Sequence, residues 1–303
     1  MSDDSYSTAI QSEPPNIDAV LVRRLIAGQF PQWAGLPVRP VVLSGWDNRT
    51  FHLGEDLLVR LPSGLEYANQ VAKEHRWLPE LAPHLPLKIP QPIAIGAPAY
   101  GYQYLWSIYR WIDGENVGLE NIVDQRVFAA CLANFLMALQ SIDTTDGPSP
   151  GSHNFFRGGS LAVYDGQIKQ ALDILHGKID TNAAIRLWNA ALASSWNRVP
   201  VWVHGDISVG NLLVQNGRLH AVIDFGQLTT GDPACDLTIT WTLFKNESRE
   251  IFQKTLAYDA DTWTRARAWT FWKAVIIAAG LVETNAVDWS EPWRLIDEVL
   301  AVY

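Results

Sequence analysis

Four polar side chains within residues 201–226 are of the types needed to move a phosphoryl group: His204, Asp206, Asn211 and Asp224. The stretch reads VWVHGDISVGNLLVQNGRLHAVIDFG, with Asn211 five positions after Asp206 and Asp224 opening Asp224-Phe225-Gly226. Two apolar runs, 212–215 and 218–223, flank Asn216-Gly217, the strongest short hairpin signal because both turn residues tolerate positive φ. Such a hairpin sets Asn211 before its first strand and Asp224 after its second, so both return to the same end. Asp206 lies one loop further back. A carboxylate beside a hydroxyl nucleophile, with an amide and a carboxylate on Mg²⁺, is the apparatus phosphoryl transfer requires. The plainer reading, an aspartate-rich loop around a structural hairpin, does not account for the joint spacing of these positions.

The elements that must position these residues fall into two groups. Asn16 or Asp18 can cap a helix to about Phe30, with Val20, Leu21 and Leu25 as its apolar stripe. Strand-like runs follow at 40–43, 49–53 and 57–61, then a helix over 66–81 and strands at 89–95 and 104–112. Five strands around one helix make a small antiparallel sheet domain. Past Asp113-Gly114 the chain turns mainly helical, with helices expected at 124–142, 180–196, 233–244 and 262–283. Residues 143–166, rich in Gly, Ser and Pro, read as a long loop. The fold class is α+β, with a cleft between the two parts. The expected organisation is a disordered tail over 1–15, an N-terminal lobe over 16–113 and a C-terminal lobe over 114–303.

Composition sets the outer limits. The 303 residues are 48% hydrophobic and only 18% charged, as in a folded globular protein. The net charge of −9 speaks against a nucleic-acid-binding surface and mildly favours a cationic small substrate, although an acidic surface is also an ordinary route to solubility. The two cysteines, Cys131 and Cys235, read as buried thiols with no disulfide framework and no metal cluster. The first fifteen residues show no apolar signal region, and the longest apolar run, 274–282, is too short to span a bilayer. A soluble cytoplasmic protein is expected, without nucleic-acid or membrane partners, as a monomer or weak homodimer.

HGDISVGNLLV, then VIDFG, then GDPACDL at 231–237 resemble the aminoglycoside phosphotransferase and choline kinase-like family, relatives of the protein kinases. The resemblance implies a bilobal protein-kinase-like fold with a small antiparallel-sheet N-lobe and a mainly helical C-lobe. It implies ATP or GTP as phosphate donor, Mg²⁺, and a small-molecule hydroxyl substrate held by the helical lobe. On the same footing Asp206 is the catalytic base, His204 braces the catalytic loop, and Asn211 and Asp224 are the Mg²⁺ ligands. Asp236 is then a structural partner of that loop; for both Asp232, before Pro233, and Asp236 the plainer reading is a carboxylate at the start of a helix, near its N-terminal amides, and the two readings stay open for Asp236. Two departures stand out. No GxGxxG occurs; Ser44 and Asn48 in the loop 43–49 are the expected phosphate contacts, in a segment that reads as well as an ordinary hairpin loop. Arg60 stands in the strand 57–61 where the family usually has lysine. On the next helix Val71, Glu74 and Leu78 share an apolar face, so Glu74 is the natural partner of Arg60, with Lys73 and Glu80 pointing elsewhere. Arg110 and Ile112, ending the last strand of this part, complete the expected nucleotide contacts.

Only Gln227-Leu228-Thr229-Thr230 separate Gly226 from Gly231, which leaves no room for a peptide-binding activation loop. A small-molecule acceptor follows, aminoglycoside-like as the first expectation, with choline, a sugar, homoserine or a macrolide open. Trp269 and Trp272, with Glu283 and Asp288, and the loop 153–159 are alternative walls for it; aromatic residues at helical spacing are more often core. A nucleotide-binding pseudokinase is the rival reading, with Arg60 in its favour. A hydrolase lacks support, since Gly-x-Ser-x-Gly is absent.

Overall fold

The computed structural model describes residues 16–41, 47–282 and 291–301, so the expectation of a disordered tail over 1–15 lies outside it. Contacts divide the described chain into two units, one from residues 1–75 and 92–111, the other from 76–91 and 112–303. The architecture is α+β, an antiparallel sheet in the first unit and a mainly helical second unit.

The first unit begins with helix α1 (Ala19–Gln29). Asp18, not Asn16, is its cap, accepting the N–H groups of Val20 and Leu21 at 2.9 and 2.8 Å. Its buried stripe is Val22, Leu25 and Ile26; Val20 of the expected stripe faces water, because the helix starts at Ala19 and that register turns it outward. The sheet comprises β1 (Val38–Pro40), β2 (Asn48–Leu53), β3 (Leu57–Pro62), β4 (Pro92–Gly96) and β5 (Trp106–Arg110), ordered β1-β2-β3-β5-β4 and antiparallel throughout. Phe51, Leu53, Val59, Leu61, Trp106 and Ile108 form the core with α1. Strand alternation then turns Arg60 to the other face, opposite Ser107, where α2 (Leu65–Leu81) presents Glu74.

Strand ends differ from the expected ones for identifiable reasons. Pro90 and Pro92 lack N–H donors, so β4 starts only at Pro92, and Lys88 instead makes a parallel bridge to Ala221 in the second unit. The run expected at 40–43 survives as β1, which ends at Pro40; residues 42–43 lie outside the described chain.

The second unit carries β6 (Glu115–Asn116), α3 (Gln125–Gln140), α4 (Asp165–Ile174), α5 (Thr181–Leu192), β7 (Val201–Val203), β8 (Leu212–Gln215), β9 (Arg218–Val222), β10 (Thr229–Gly231), α6 (Ile239–Thr242), α7 (Asn246–Leu256), α8 (Ala260–Ala278) and α9 (Glu291–Leu300). Asp124, Asp180 and Asp259 cap α3, α5 and α8. The helix expected over 233–244 is a 3₁₀ run, Pro233–Thr238, leading into the single turn of α6. The expected loop 143–166 is punctuated by two 3₁₀ turns, and α4 begins at its end. Cys131 is half-buried and Cys235 buried, both as free thiols. No helix among the described residues is long and apolar enough to cross a membrane.

One ion pair anchors α8 to the 3₁₀ run. Asp232 accepts the Ala234 N–H and, through both oxygens, Nε and Nη2 of Arg265 at 2.6 and 3.3 Å. Arg265 also reaches Ser194 and Thr262, and both partners are buried. Arg265→Met leaves the Asp232 carboxylate buried without a counter-charge, and urea unfolding is expected to show a loss of about 3–5 kcal/mol. Adding Asp232→Asn to that variant is expected to recover part of the loss; a single-variant change below about 1 kcal/mol contradicts the account.

Candidate active site

The hairpin forms as its sequence dictates. β8 and β9 pair from Leu212↔Val222 to Gln215↔Arg218, and Asn216 and Gly217 turn the corner at φ 52° and 74°. Beyond the paired residues the Ile223 N–H donates to the Asn211 carbonyl at 2.9 Å, which fixes Asn211 and the next residue, Asp224, at one end of the ladder. Asp224 sits in the left-handed region (φ 65°, ψ 70°), a conformation that costs a non-glycine residue about 1–3 kcal/mol and persists where the surroundings impose it.

Asp206 is brought to Asn211 directly. The Asn211 amide donates from Nδ2 to the Asp206 carbonyl at 2.9 Å and to its Oδ2 at 2.8 Å. That orients Asn211 Oδ1 away from Asp206; the amide oxygen and the Asp224 carboxylate are the hard oxygen donors carried at this end of the hairpin. An oxygen-only pair suits Mg²⁺, which retains water and phosphate oxygens around few protein ligands.

The loop before Asp206 is held from beneath. Asp236 accepts the backbone N–H of His204 at 2.8 Å and of Gly205 at 2.7 Å, one on each oxygen. It is fully buried, and burial pushes its carboxyl up to about 7 against those two hydrogen bonds. Gly205 adopts φ +90°, and a Cβ there would lie 2.7 Å from the Gln227 carbonyl oxygen. His204, also fully buried, donates from Nε2 to the Ile223 carbonyl at 3.1 Å and accepts the Asp206 N–H on Nδ1 at 3.2 Å. Those two bonds require the neutral tautomer, and burial lowers its pKa in the same sense. His204 therefore ties the Asp206 backbone to the end of the hairpin.

In the first unit, Arg60 Nη1 donates to both Glu74 oxygens at 3.2 and 3.3 Å, Tyr109 donates its hydroxyl to Glu74 Oε2, and the Arg60 guanidinium lies over the Tyr109 ring. Lys73, the neighbour of Glu74 on α2, is half-buried, and burial brings its amine down to about 8. Asn48 is buried at the start of β2. Arg110 is exposed at the end of β5, opposite Leu57 and three register positions from the Ser107 that faces Arg60; Ile112 follows half-buried. Ser44, Glu283 and Asp288 lie outside the described residues.

Sequence reasoning did not single out two cations beside Asp206. Arg157, inside the loop 153–159, and Lys273, on α8, line a small pocket with Gly205, Asp206, Thr238 and Trp272. Lys273 lies four residues after Trp269, so the face of α8 that the tryptophans mark was the signal available. Trp269 and Trp272 themselves are almost wholly buried, as walls rather than open stacking surfaces.

The chain matches the model of the phosphotransferase enzyme family (APH) over residues 39–269 and belongs to that family. Solved structures share its fold. The GDP complex of wild-type aminoglycoside 2'-phosphotransferase-IIIa is 18% identical with a TM-score of 0.69, over 94% of this chain and 99% of that one. The streptomycin–ATP ternary complex of APH(2")-IIa is 19% identical with a TM-score of 0.56, over 95% and 97%. Macrolide 2'-phosphotransferase MphH from Brachybacterium faecium is 21% identical with a TM-score of 0.58, over 93% and 97%. A comparison with curated proteins finds no match. The protein is thus a phosphotransferase of kinase-like fold.

Asp236 supplies the next measurement. An unfolded aspartate titrates at about 4, and burial pushes the native Asp236 carboxyl up to about 7. Between those values the native chain holds a proton that the unfolded chain has released, so this group's contribution to stability is fully present below about 4 and is lost as pH rises through about 7. Asp236→Asn is expected to flatten that fall in urea titrations from pH 5 to pH 8. Asp236→Ala, which strips two buried N–H groups of their acceptor, is expected to cost about 2–4 kcal/mol. An unchanged pH profile in Asp236→Asn contradicts the assignment.

Proposed function

We propose that this phosphotransferase carries the γ-phosphoryl group of ATP or GTP, with Mg²⁺, to a hydroxyl of a small molecule. The observation that carries the reading is the clasp of Asn211 on Asp206 at the hairpin end that Asp224 also occupies. Relatives of the same fold whose complexes hold GDP, ADP or ATP support the nucleotide donor. Aminoglycoside and macrolide phosphotransferases among them support a small hydroxyl compound as acceptor.

Asp206 orients the acceptor hydroxyl and takes its proton as the oxygen–phosphorus bond forms. The bond from the γ-phosphorus to the β,γ-bridging oxygen breaks, and the nucleoside diphosphate leaves with that electron pair. Asn211 fixes the Asp206 carboxylate through Nδ2, and His204, neutral and buried, holds its backbone. Asn211 Oδ1 and the Asp224 carboxylate would hold Mg²⁺, which when bound offsets phosphate charge. Arg60, held by Glu74 and Tyr109, serves the phosphates in place of lysine. After Gly226 the chain enters β10 at Thr229 and pairs with β7, which supports a small acceptor over a peptide.

Asp206→Asn is expected to lower turnover by about 10²–10⁴-fold with Mg·nucleotide affinity little changed. Asp224→Asn is expected to abolish Mg²⁺-dependent nucleotide binding, and Asn211→Ala to weaken it less. Calorimetric titration with coupled detection of ADP or GDP separates these outcomes; unchanged nucleotide affinity in Asp224→Asn contradicts the metal assignment.

The Arg60–Glu74 pair gives an independent check. Arg60→Ala is expected to raise the nucleotide KM and lower kcat, Glu74→Gln to do so less, and the double variant to fall short of their sum because one unit is broken. Arg60→Lys is expected to cost about ten-fold or less, the worth of one charged hydrogen bond. Full additivity would assign the phosphate contact to another basic residue.

A further inference from the structure

The pocket beside Asp206 is cationic in a chain whose overall charge is negative. Lys273 Nζ lies 3.8 Å from Asp206 Oδ1, and 54% of its side chain is exposed. Arg157 lies over the rings of Trp269 and Trp272, 5.0 Å from each centroid, and donates from Nε to Gln227 Oε1 at 3.1 Å. Its terminal nitrogens have no hydrogen-bond partner among the described residues, so the planar end of the fork is fixed in place and still open. Of the described residues lining the pocket, Asp206 is the only carboxylate, and burial keeps the Cys235 thiol protonated.

The two cations differ in what they can do. Arg157 is rigid, braced by two indoles and by the side chain of a glutamine whose backbone carbonyl accepts from the buried Asn154 amide at 3.3 Å. A planar guanidinium with free terminal N–H groups recognises paired acid oxygens. Lys273 is a flexible point charge that can follow the ligand while remaining close to the base. A polyamine offering its hydroxyl to Asp206 would bring ammonium groups against both, and like charges at such separations change selectivity by about tenfold or more. An acid offering the same hydroxyl meets opposite charge.

We propose that Arg157 and Lys273 form an anion-recognising acceptor subsite beside Asp206, so that the hydroxyl phosphorylated belongs to a compound bearing a carboxylate or phosphate, not to a polyamine. This rests on the kinase reading and replaces the aminoglycoside-like acceptor expected first. The bonds made and broken are those already described; the two cations set which molecule presents the hydroxyl and take no proton.

The test is a charge series on one sugar skeleton: glucuronate, glucose 6-phosphate, glucose and glucosamine, with kanamycin as a polyamine. Binding is read by saturation-transfer NMR on the unaltered full-length chain with Mg²⁺ and a non-hydrolysable nucleotide analogue, and transfer by kcat/KM on the same chain with ATP or GTP. At least one acid is expected to bind about tenfold or more tightly than glucose, and glucosamine less tightly than glucose. Lys273→Glu is expected to invert the order of that acid and glucosamine, and Arg157→Lys, which keeps the charge but loses the fork, to reduce the acid preference. Preference for glucuronate alone marks a carboxylate, and for glucose 6-phosphate alone a phosphate. The proposal is overturned if glucosamine or kanamycin binds as well as both acids, if neither acid exceeds glucose, or if the acid preference is intact in Lys273→Glu. An equal fall in kcat for all acceptors in Lys273→Glu, with their order unchanged, overturns it too and assigns Lys273 to the nucleotide. Because binding is read without turnover, absence of phosphoryl transfer with the acid order retained counts against the kinase reading and leaves the anion subsite standing.

Discussion

A carboxylate with no access to water holds the loop on which the chemistry is built. Asp236 receives two consecutive backbone N–H groups, and consecutive donors can converge on one carboxylate only where the chain turns sharply. Gly205 supplies that turn at φ +90°, with no room for a side chain against Gln227. The same turn points the His204 ring down onto Phe225 and the Ile223 carbonyl, leaving Asp206 as the next side chain directed outward. Burying the acceptor is unfavourable in itself, as the upward displacement of its pKa shows. The return is directional: buried hydrogen bonds without competing water define one loop conformation.

The remaining buried charges follow the same rule. Arg60 with Glu74 and Arg265 with Asp232 are each out of water, and each is paired with additional donors or acceptors on at least one partner. Helix α8 links one such pair to the pocket. Arg265, Trp269, Trp272 and Lys273 fall at i, i+4, i+7 and i+8, a single face of the helix. Arg265 fixes that face to the 3₁₀ run carrying Asp232 and Asp236, and the indoles seat Arg157. Lys273 then emerges at its far end beside Asp206. Removing the ion pair would thus disturb the pocket as well as the fold.

What was legible in the sequence was local or periodic. Asn216-Gly217 determines the hairpin because few dipeptides accept two positive φ values in succession, and its geometry then carries Asn211 and Asp224. Glu74 announced its partner because an acid on an apolar helical face must find one. What was illegible depended on residues far apart in the chain. Capping and bracing were indistinguishable for Asp236, since both place a carboxylate near backbone N–H groups; only the folded position of His204 separates them. Helix α4 starts at the end of a segment whose Gly, Ser and Pro content reads as loop. Helix α7 is polar and α9 short, so neither stood out before its apolar face met a neighbour. Prolines at 90 and 92 set the start of β4, a local cause present in the sequence but masked by the apolar run around it.

Net charge and site charge answer to different constraints. The net charge of −9 favours solubility, and charges exposed to solvent are screened within about 8–10 Å at physiological ionic strength. Within the pocket the relevant separations are the 3.8 Å between Lys273 and Asp206 and the 5.0 Å between Arg157 and its two indoles, far inside that length. A ligand approaching from solution meets a weakly repulsive field if it is an acid, yet at contact its partners are positive. Selectivity is settled at contact, because screening removes the distant charges from the comparison while leaving the near ones. Composition favours one acceptor charge and the proposed subsite the other, and range is the reason the proposal follows the pocket.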